Sequence, residues 1–254
     1  TDGHWPLTEH PLPVRTTDQT MPSVGDIVSR MFEPQQRGGD TTVVMAVAQA
    51  AWYTFREALA GLAVGAVIGM ALAVAMLRAE LLERGLLPYI IASQTIPLIA
   101  LAPVVVSWGS RVGWDAWLSV ALIATYLTFF PVAVNGLRGL KSPRPEALEL
   151  MRSYAASWWQ TLVKLRLPAS VPYLIPALKL SATASIVGAI VGEISTGVEG
   201  GIGRLIISYM QQASTDPPKL YAAIFGAAAL GLVFVGLISL LDRVVSGARS
   251  EDVA

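Results

Sequence analysis

Cysteine is absent from the 254 residues, which excludes disulfides, iron–sulfur clusters and thiolate zinc sites. Histidine occurs only as His4 and His10, so the body of the chain holds neither a histidine-built metal centre nor a Ser-His-Asp triad. Charge is scarce too: 14% of residues are charged, where a soluble domain carries about a quarter. The eighteen basic and eighteen acidic residues cancel, leaving no overall field to attract nucleic acid. What remains is apolar. Hydrophobic residues make up 54% and the mean hydropathy is +0.56, too little polar surface to face water all round. These values point to an integral membrane protein. The sequence begins at Thr1, and its polar, proline-rich first 40 residues show no signal peptide.

A helix needs roughly 20 mostly apolar residues to cross the hydrocarbon core. Runs between charges give five candidates: 58–77, 85–110, 116–137, 170–192 and 220–241. The second is interrupted by Pro88, Pro97 and Pro103, and the fourth contains Lys179. Orientation follows from basic residues in the short loops. One side carries Arg78, Arg84, Arg138, Lys141, Arg144, Arg152, Lys164, Arg166, Arg243 and Arg249; the other has only Arg111, Arg204 and Lys219. The richer side is assigned to the cytoplasm. Residues 1–41 are then extracytoplasmic, 42–243 form the membrane domain, and 244–254 are a cytoplasmic tail. An outside N-terminus without a signal peptide implies a sixth span upstream of Thr1.

Within residues 22–33, Val24, Ile27, Val28, Met31 and Phe32 recur at helical spacing, and Ser23 with Asp26 resembles a capping box. A short amphipathic helix is expected, packed on the bundle or lying at the interface. The longest loop, 138–168, is expected to start a helix at Pro145, because proline suits the first helical position. Glu146 and Glu149 suit its positive dipole end. Leu148, Met151, Ala155, Trp158, Leu162 and Leu165 continue one apolar stripe, and Pro168 is expected to end the helix with Leu167 extended before it. Periodicity alone leaves open a surface helix hugging the bilayer.

The residue order in this loop is more specific. Glu149-Leu150-Met151, three residues, Ala155, nine residues, then Leu165-Arg166-Leu167-Pro168 resembles the EAA loop of ABC-importer permeases, whose pattern is Glu-Ala-Ala, three residues, Gly, nine residues, Ile-x-Leu-Pro. The spacing matches in full. Leu150 and Met151 depart from the two alanines, and Ala155 from the glycine, although that position stays small. Ile96-Pro97 through Pro103 with Trp108-Gly109, Phe130-Pro131 through Asn135-Gly136, Gly192-Glu193, Gly201-Ile202-Gly203 and Met21-Pro22-Ser23 look like the nitrate/sulfonate/taurine branch of that family.

The resemblance implies an all-α, polytopic membrane bundle of the type I importer fold, in the cytoplasmic membrane of a prokaryote. It implies a non-catalytic permease subunit, paired with a second permease as a homodimer. ATPase subunits would dock on the loop, carrying the ATP and magnesium, and an extracytoplasmic binding protein would deliver a small solute. The loop residues assigned to ATPase contact are Glu149, Arg152, Ser153, Ala155, Ala156, Ser157 and Trp159, with Leu167 and Pro168 completing the motif. A break near residues 155–157 is expected to split the stripe into two shorter helices. The alternatives are a channel or secondary transporter, or a polytopic membrane enzyme. The first leaves the EAA spacing unexplained, and the second needs a cluster of ionisable residues near the interface, where none stands out.

Candidates for a solute path are Gln94, Thr95, Lys179, Ser181, Thr183, Ser185 and Glu193; each has a plain alternative in helix–helix bonding, a loop contact or snorkelling. Gly61, Gly65 and Gly69 make overlapping GxxxG spacings that suit packing within one subunit or a dimer seam. Gly197, Gly200, Gly201 and Gly203 read as a tight turn, since no Lys-Ser/Thr follows. Gly139-Leu140-Lys141-Ser142 also lacks the phosphate-loop pattern. No ATP-binding motif is visible.

Overall fold

The structure is a computed structural model that describes residues 22–36 and 39–251, with side chains described to residue 243. The expectation for residues 1–21 lies outside the described residues. The elements are α1 (Val24–Met31), α2 (Val43–Arg78), α3 (Glu80–Ser93), α4 (Leu98–Val112), α5 (Ala116–Leu140), α6 (Pro145–Ser153), α7 (Trp158–Thr161), a π-helical turn (Leu162–Arg166), α8 (Leu167–Thr196), α9 (Ile202–Met210) and α10 (Pro217–Glu251). Four stretches are long and apolar enough to cross a membrane: Val43–Arg78, Ala116–Leu140, Trp158–Thr196 and Pro217–Arg243. A fifth arises if α3 and α4, bent by 99° at their junction, count as one broken span. The bend falls where Pro97 takes an extended ψ of 119° and caps α4.

The first span is longer than its charge-free run. Arg56 and Glu57 do not bound it: the helix starts at Val43, capped by the Thr42 hydroxyl accepting from the Met45 amide. Its 36 residues reach ~54 Å at 1.5 Å per residue, well beyond a ~30 Å hydrocarbon core. Counting along α2 from Arg78 places Glu57 ~30 Å away, about one hydrocarbon thickness along the helix.

α5 is the centre of the bundle. In its best apolar window 56% of residues are buried, against 11% in α10. Gly61, Gly65 and Gly69 lie on the α2 face that meets it. A Cβ at Gly61 would stand 2.4 Å from Ala124 Cβ, and one at Gly69 2.5 Å from the Phe129 carbonyl oxygen. The Thr125 and Thr128 hydroxyls donate across this seam to the Gly61 carbonyl, at 3.3 and 3.0 Å. The glycine stripe is therefore an intrasubunit contact. Without a hydrophobic difference between helix and lipid, close van der Waals packing of this kind holds spans together. The other side of α5 meets α8 the same way: Gly188 approaches Ala124, Gly192 approaches Val120, and Gly139 approaches Ser170.

α1 forms with the expected capping box. Ile27 is buried with Val43, Val47 and Tyr209, while Val24, Val28 and Phe32 are exposed. Arg30 fastens the helix to the loop before α10, donating from Nε and Nη2 to Asp216 at 2.9 and 2.7 Å. That carboxylate holds the guanidinium pKa above its ordinary value. Tyr209, buried beside it, is pushed up to about 12 by desolvation.

Pro168 does not end a helix, and Leu167 is not extended. Leu167 has φ −62° and ψ −48°, and α8 runs on through Pro168, Pro172 and Pro176. The π turn is the reason. The Leu167 amide donates to the Leu162 carbonyl, five residues back, so the turn is wider and relieves the ring clash that a proline imposes on an α-helix.

The helix ends separate into two faces. The end of α2, the end of α5, α6 and α7 share one; α9 and the start of α10 lie at the other. Single cysteines at the exposed positions 146 and 204 should therefore label from opposite sides: residue 204 from outside, residue 146 only after the inner face is opened. Labelling of residue 204 from the cytoplasmic side alone would reverse the assigned orientation.

Candidate functional site

At the end of the bundle shared with the close of α2 and α5, α6 starts at Pro145 and carries Glu146 in its first turn and Arg152 in its last, both suited to the helix dipole. None of its residues is buried. Glu149, Arg152 and Ser153 are exposed, and Leu150 and Tyr154 present large side chains to solvent. The Ser153 hydroxyl donates to the Leu150 carbonyl at 2.7 Å, inside its own turn.

The break implied by the family resemblance is present, and the apolar stripe that the spacing made continuous is split between α6 and α7. Ala155 has φ +50°, the left-handed region, and among the described residues no other non-glycine residue does so. This handedness turns the chain out of α6, with the Ala155 amide donating to Arg152 and the Ala156 amide to Met151. A small residue in the place of the family glycine thus has a backbone reason besides space. Ser157 then caps α7, its hydroxyl accepting from the Gln160 amide at 3.2 Å while Gln160 Oε1 accepts from the Ser157 amide at 2.7 Å. Trp159 is exposed and stacks edge-on against Trp158 at 4.7 Å between centroids.

Beyond the corner the segment is fixed to the bundle. Leu162 is buried with Met76, Ile90, Leu137 and Leu140. Arg166 donates to the Leu140 carbonyl at 2.8 Å, tying the π turn to the end of α5. Ser142 donates to the Ala169 carbonyl at 3.3 Å. Lys141 pairs with Glu83 of α3, and Arg166, Leu148 and Met76 line a cavity of about 530 Å³ beside that pair. α6 is thus an exposed helix, followed past the Ala155 corner by a segment anchored to α2, α3 and α5. Leu167 and Pro168 contribute by continuing that segment into the α8 span.

The pathway candidates fall into different surroundings. Gln94 and Thr95 sit at the bend between α3 and α4; Thr95 is exposed and donates to the Ala92 carbonyl at 2.8 Å, and Gln94 donates to Ser93 at 3.3 Å. Lys179 is held in an interhelical ion pair with Asp242 of α10 at 2.9 Å. Ser181 is buried and donates to the Thr128 carbonyl at 3.1 Å, while Ser185, also buried, bonds its own helix at Ala182. Thr183 is exposed and bonds the Lys179 carbonyl. Glu193 is fully buried. These residues do not converge on one cavity.

Glu193 takes the alternative left open for it, a loop contact, within a clamp at the opposite end of the bundle whose other members the sequence reading did not connect with it. Its Oε1 accepts from the Thr54 hydroxyl at 2.6 Å and its Oε2 from the Gly203 amide at 2.6 Å. The Thr54 oxygen in turn accepts from the Ile202 amide at 2.9 Å. Both amides are at the N-terminus of α9, where a carboxylate and a hydroxyl satisfy otherwise orphaned donors. Gly201 permits the approach, since a Cβ there would meet the carboxyl at 2.1 Å. Glu57, also buried, lies against Glu193. The expected turn leads into this clamp, with Gly197 and Gly200 at φ 66° and 112°. Three helices, α2, α8 and α9, are thereby locked at that end. Beside the clamp, Gln49, Tyr53, Glu199, Arg204, Ser208 and Gln211 line a polar cavity of about 600 Å³. Among the described residues no group of three or more acidic or histidine side chains is placed to hold a metal ion.

Comparison with known proteins agrees with this arrangement. The chain is 36% identical over 185 residues to the formylaminopyrimidine transport permease protein ThiX of Halalkalibacterium halodurans, covering 73% of this chain and 71% of that one. It is 31% identical to the riboflavin transport system permease protein RibX of Chloroflexus aurantiacus, covering 65% and 59%. To the putative aliphatic sulfonates transport permease protein SsuC of Bacillus subtilis it is 29% identical, covering 74% and 66%. Among solved structures, an amino acid ABC transporter crystallised with histidines superposes with a TM-score of 0.63 at 16% identity, over 79% of this chain and 94% of that one, which establishes the shared fold. Residues 65–247 match the family model described as binding-protein-dependent transport system inner membrane component. That match takes in the glycine seam from Gly65, the exposed α6, the π turn and most of the last span, and the chain is a member of this family of ABC transporter permeases.

Proposed function

We propose that this chain is the membrane-spanning subunit of an ATP-driven importer, and that α6 and the Ala155 corner are the surface on which a cytoplasmic ATPase docks. The observation that carries the proposal is the exposed α6, charged for a helix yet burying none of its residues, followed by the Ala155 corner, α7 and the π turn that leads into the span α8. A lever of that form converts movement of a docked partner into displacement of a transmembrane helix. Glu149, Arg152, Ser153, Ala155, Ala156 and Ser157 form the contact, and ATP with magnesium is bound by the partner. A second copy completes the membrane unit. A binding protein delivers the solute on the outer face, where α9 and the 600 Å³ cavity lie.

The named relatives carry a formylaminopyrimidine, riboflavin and aliphatic sulfonates. One scaffold serving such different cargo supports assigning selectivity chiefly to the binding protein. The solute is accordingly a small polar molecule. Transport favours weak contacts along the path, and the exposed hydroxyls of Thr95 and Thr183 suit that need.

The test is biochemical. The purified chain alone is expected to show no ATP turnover, and turnover should appear when the partner ATPase is added in liposomes. Robust hydrolysis by the isolated chain, or failure of any ATPase to co-purify from cells expressing the whole operon, would overturn the assignment.

A further inference from the structure

The inner end of α2 carries a feature that neither the lever nor the clamp uses. On the side of α2 away from the glycine seam, Met70, Ala71, Val74 and Ala75 line a groove, closed at its cytoplasmic end by Arg78, Trp158 and Trp159. Its volume is about 430 Å³. From Met70 to Arg78 the helix rises ~12 Å along its axis, so the groove descends from the membrane surface into the hydrocarbon. Ala71 and Ala75 keep its floor clear of bulky side chains.

The mouth is chemically different from the floor. The Arg78 guanidinium carbon lies 5.6 Å from the centre of the Trp158 ring, a cation–π geometry that fixes the charge at the groove entrance. Arg78 is exposed and takes part in none of the ion pairs among the described residues. Trp159 stands edge-on to Trp158 and is also exposed. Indoles favour the headgroup level of a bilayer, where one edge is apolar and the other wet.

We infer that this groove binds one anionic phospholipid of the cytoplasmic leaflet, with its phosphate on Arg78, its glycerol region against the two indoles and an acyl chain along Met70, Ala71, Val74 and Ala75. Three features favour this occupant. The floor is apolar and lies at a depth where water would be unfavourable. The charge at the mouth is positive and sits on the leaflet where anionic lipid collects. A zwitterionic headgroup would bring its own cation toward the guanidinium, so the site discriminates by headgroup. The lipid would also contact Trp158 and Trp159 directly after the Ala155 corner, which places bilayer composition in touch with the coupling lever. Trp159, assigned to ATPase contact from its sequence position, then faces lipid.

The experiment is native mass spectrometry of the full chain released from micelles doped with equal phosphatidylglycerol and phosphatidylcholine. The wild type is expected to retain one phosphatidylglycerol per chain in at least fivefold preference over phosphatidylcholine. Arg78→Gln, at an exposed position, should remove the preference; Ala75→Phe, which fills the groove and leaves the cation, should remove the bound lipid of either kind. Arg84→Gln, at the exposed arginine paired with Glu80 at 2.6 Å, should change nothing. Equal retention of the two lipids by the wild type, or unchanged retention by both groove variants at wild-type elution volume, would overturn the inference. A change in subunit number with Arg78→Gln and no change in lipid would show that a second copy covers the groove, which overturns it as well.

Discussion

Ala155→Trp is expected to abolish solute uptake while membrane insertion and subunit assembly persist. Ala155 lies on an exposed corner with φ +50°. A non-glycine residue in that region already costs roughly 1–2 kcal/mol. Position 155 is exposed, so an indole added there projects away from the fold rather than into it. It meets the docked ATPase instead, where overpacking costs about 1–3 kcal/mol and shifts the register of the contact. Glu149→Ala should impair uptake less: Glu149 lies past the first turn of α6, not at the dipole end where it was expected, so the change removes only its contact with the partner. Leu150→Ala moves toward the family pattern and should be mild. Ala155→Gly should retain uptake, because it keeps the handedness and relieves the strain. Uptake and ATPase recovery measured in parallel separate these cases. Normal uptake and normal ATPase binding by Ala155→Trp would mean that α6 is only an interfacial helix.

Gly69→Val is expected to prevent accumulation of folded protein. A Cβ at this position would lie 2.5 Å from the Phe129 carbonyl oxygen, 2.9 Å from Val132 Cβ and 3.0 Å from the Ala133 amide nitrogen. Two of these neighbours are backbone, so no rotamer change relieves the clash and α2 must lift from α5. That motion also lengthens the Thr125 and Thr128 bonds to Gly61. The penalty should reach the top of the ~1–3 kcal/mol range for overpacked cores or exceed it. Gly231→Ala and Gly85→Ala are the controls, since a Cβ at either meets nothing within 4 Å. In a helix interior the exchange to alanine is itself favourable by up to about 1 kcal/mol. Thermal melts followed by size-exclusion fluorescence distinguish the three variants. Wild-type stability of Gly69→Val would show that the seam is looser than its geometry.

The parts of the fold that were legible in the sequence are those where one residue type has one physical use. Pro145 opens a helix, Ser23 and Asp26 cap one, and glycines at 197 and 200 turn the chain with positive φ. The corner at Ala155 was legible in position through the family spacing, and its handedness was not, because alanine rarely adopts it. Charges misled at the first span: Arg56 and Glu57 delimit an apolar run, yet Glu57 is buried within a continuous helix, set against Glu193. That pairing joins positions far apart in the chain, and no local pattern announces it; Thr54 bonds the same carboxyl from one turn away. Helix α9 left a signal that went unread, the row Ile202, Leu205, Ile206 and Tyr209 at helical spacing. Pro168 was misread because a wide turn built from ordinary residues carries no composition of its own.

That wide turn also sets a phase. In an α-helix each residue advances the chain by about 100° around the axis. The Leu162–Arg166 turn stores one residue more than regular winding would use. It therefore fixes the azimuth at which the Ala155 corner and α6 leave the membrane relative to every side chain on α8. Deleting one residue there would remove the stored residue, and the turn could close into α-helix only by bringing the Pro168 ring against the carbonyl four residues before it. The flanks would keep their bearing, because the wide turn already takes up the extra residue, and the cost would fall as strain on the first turn of α8.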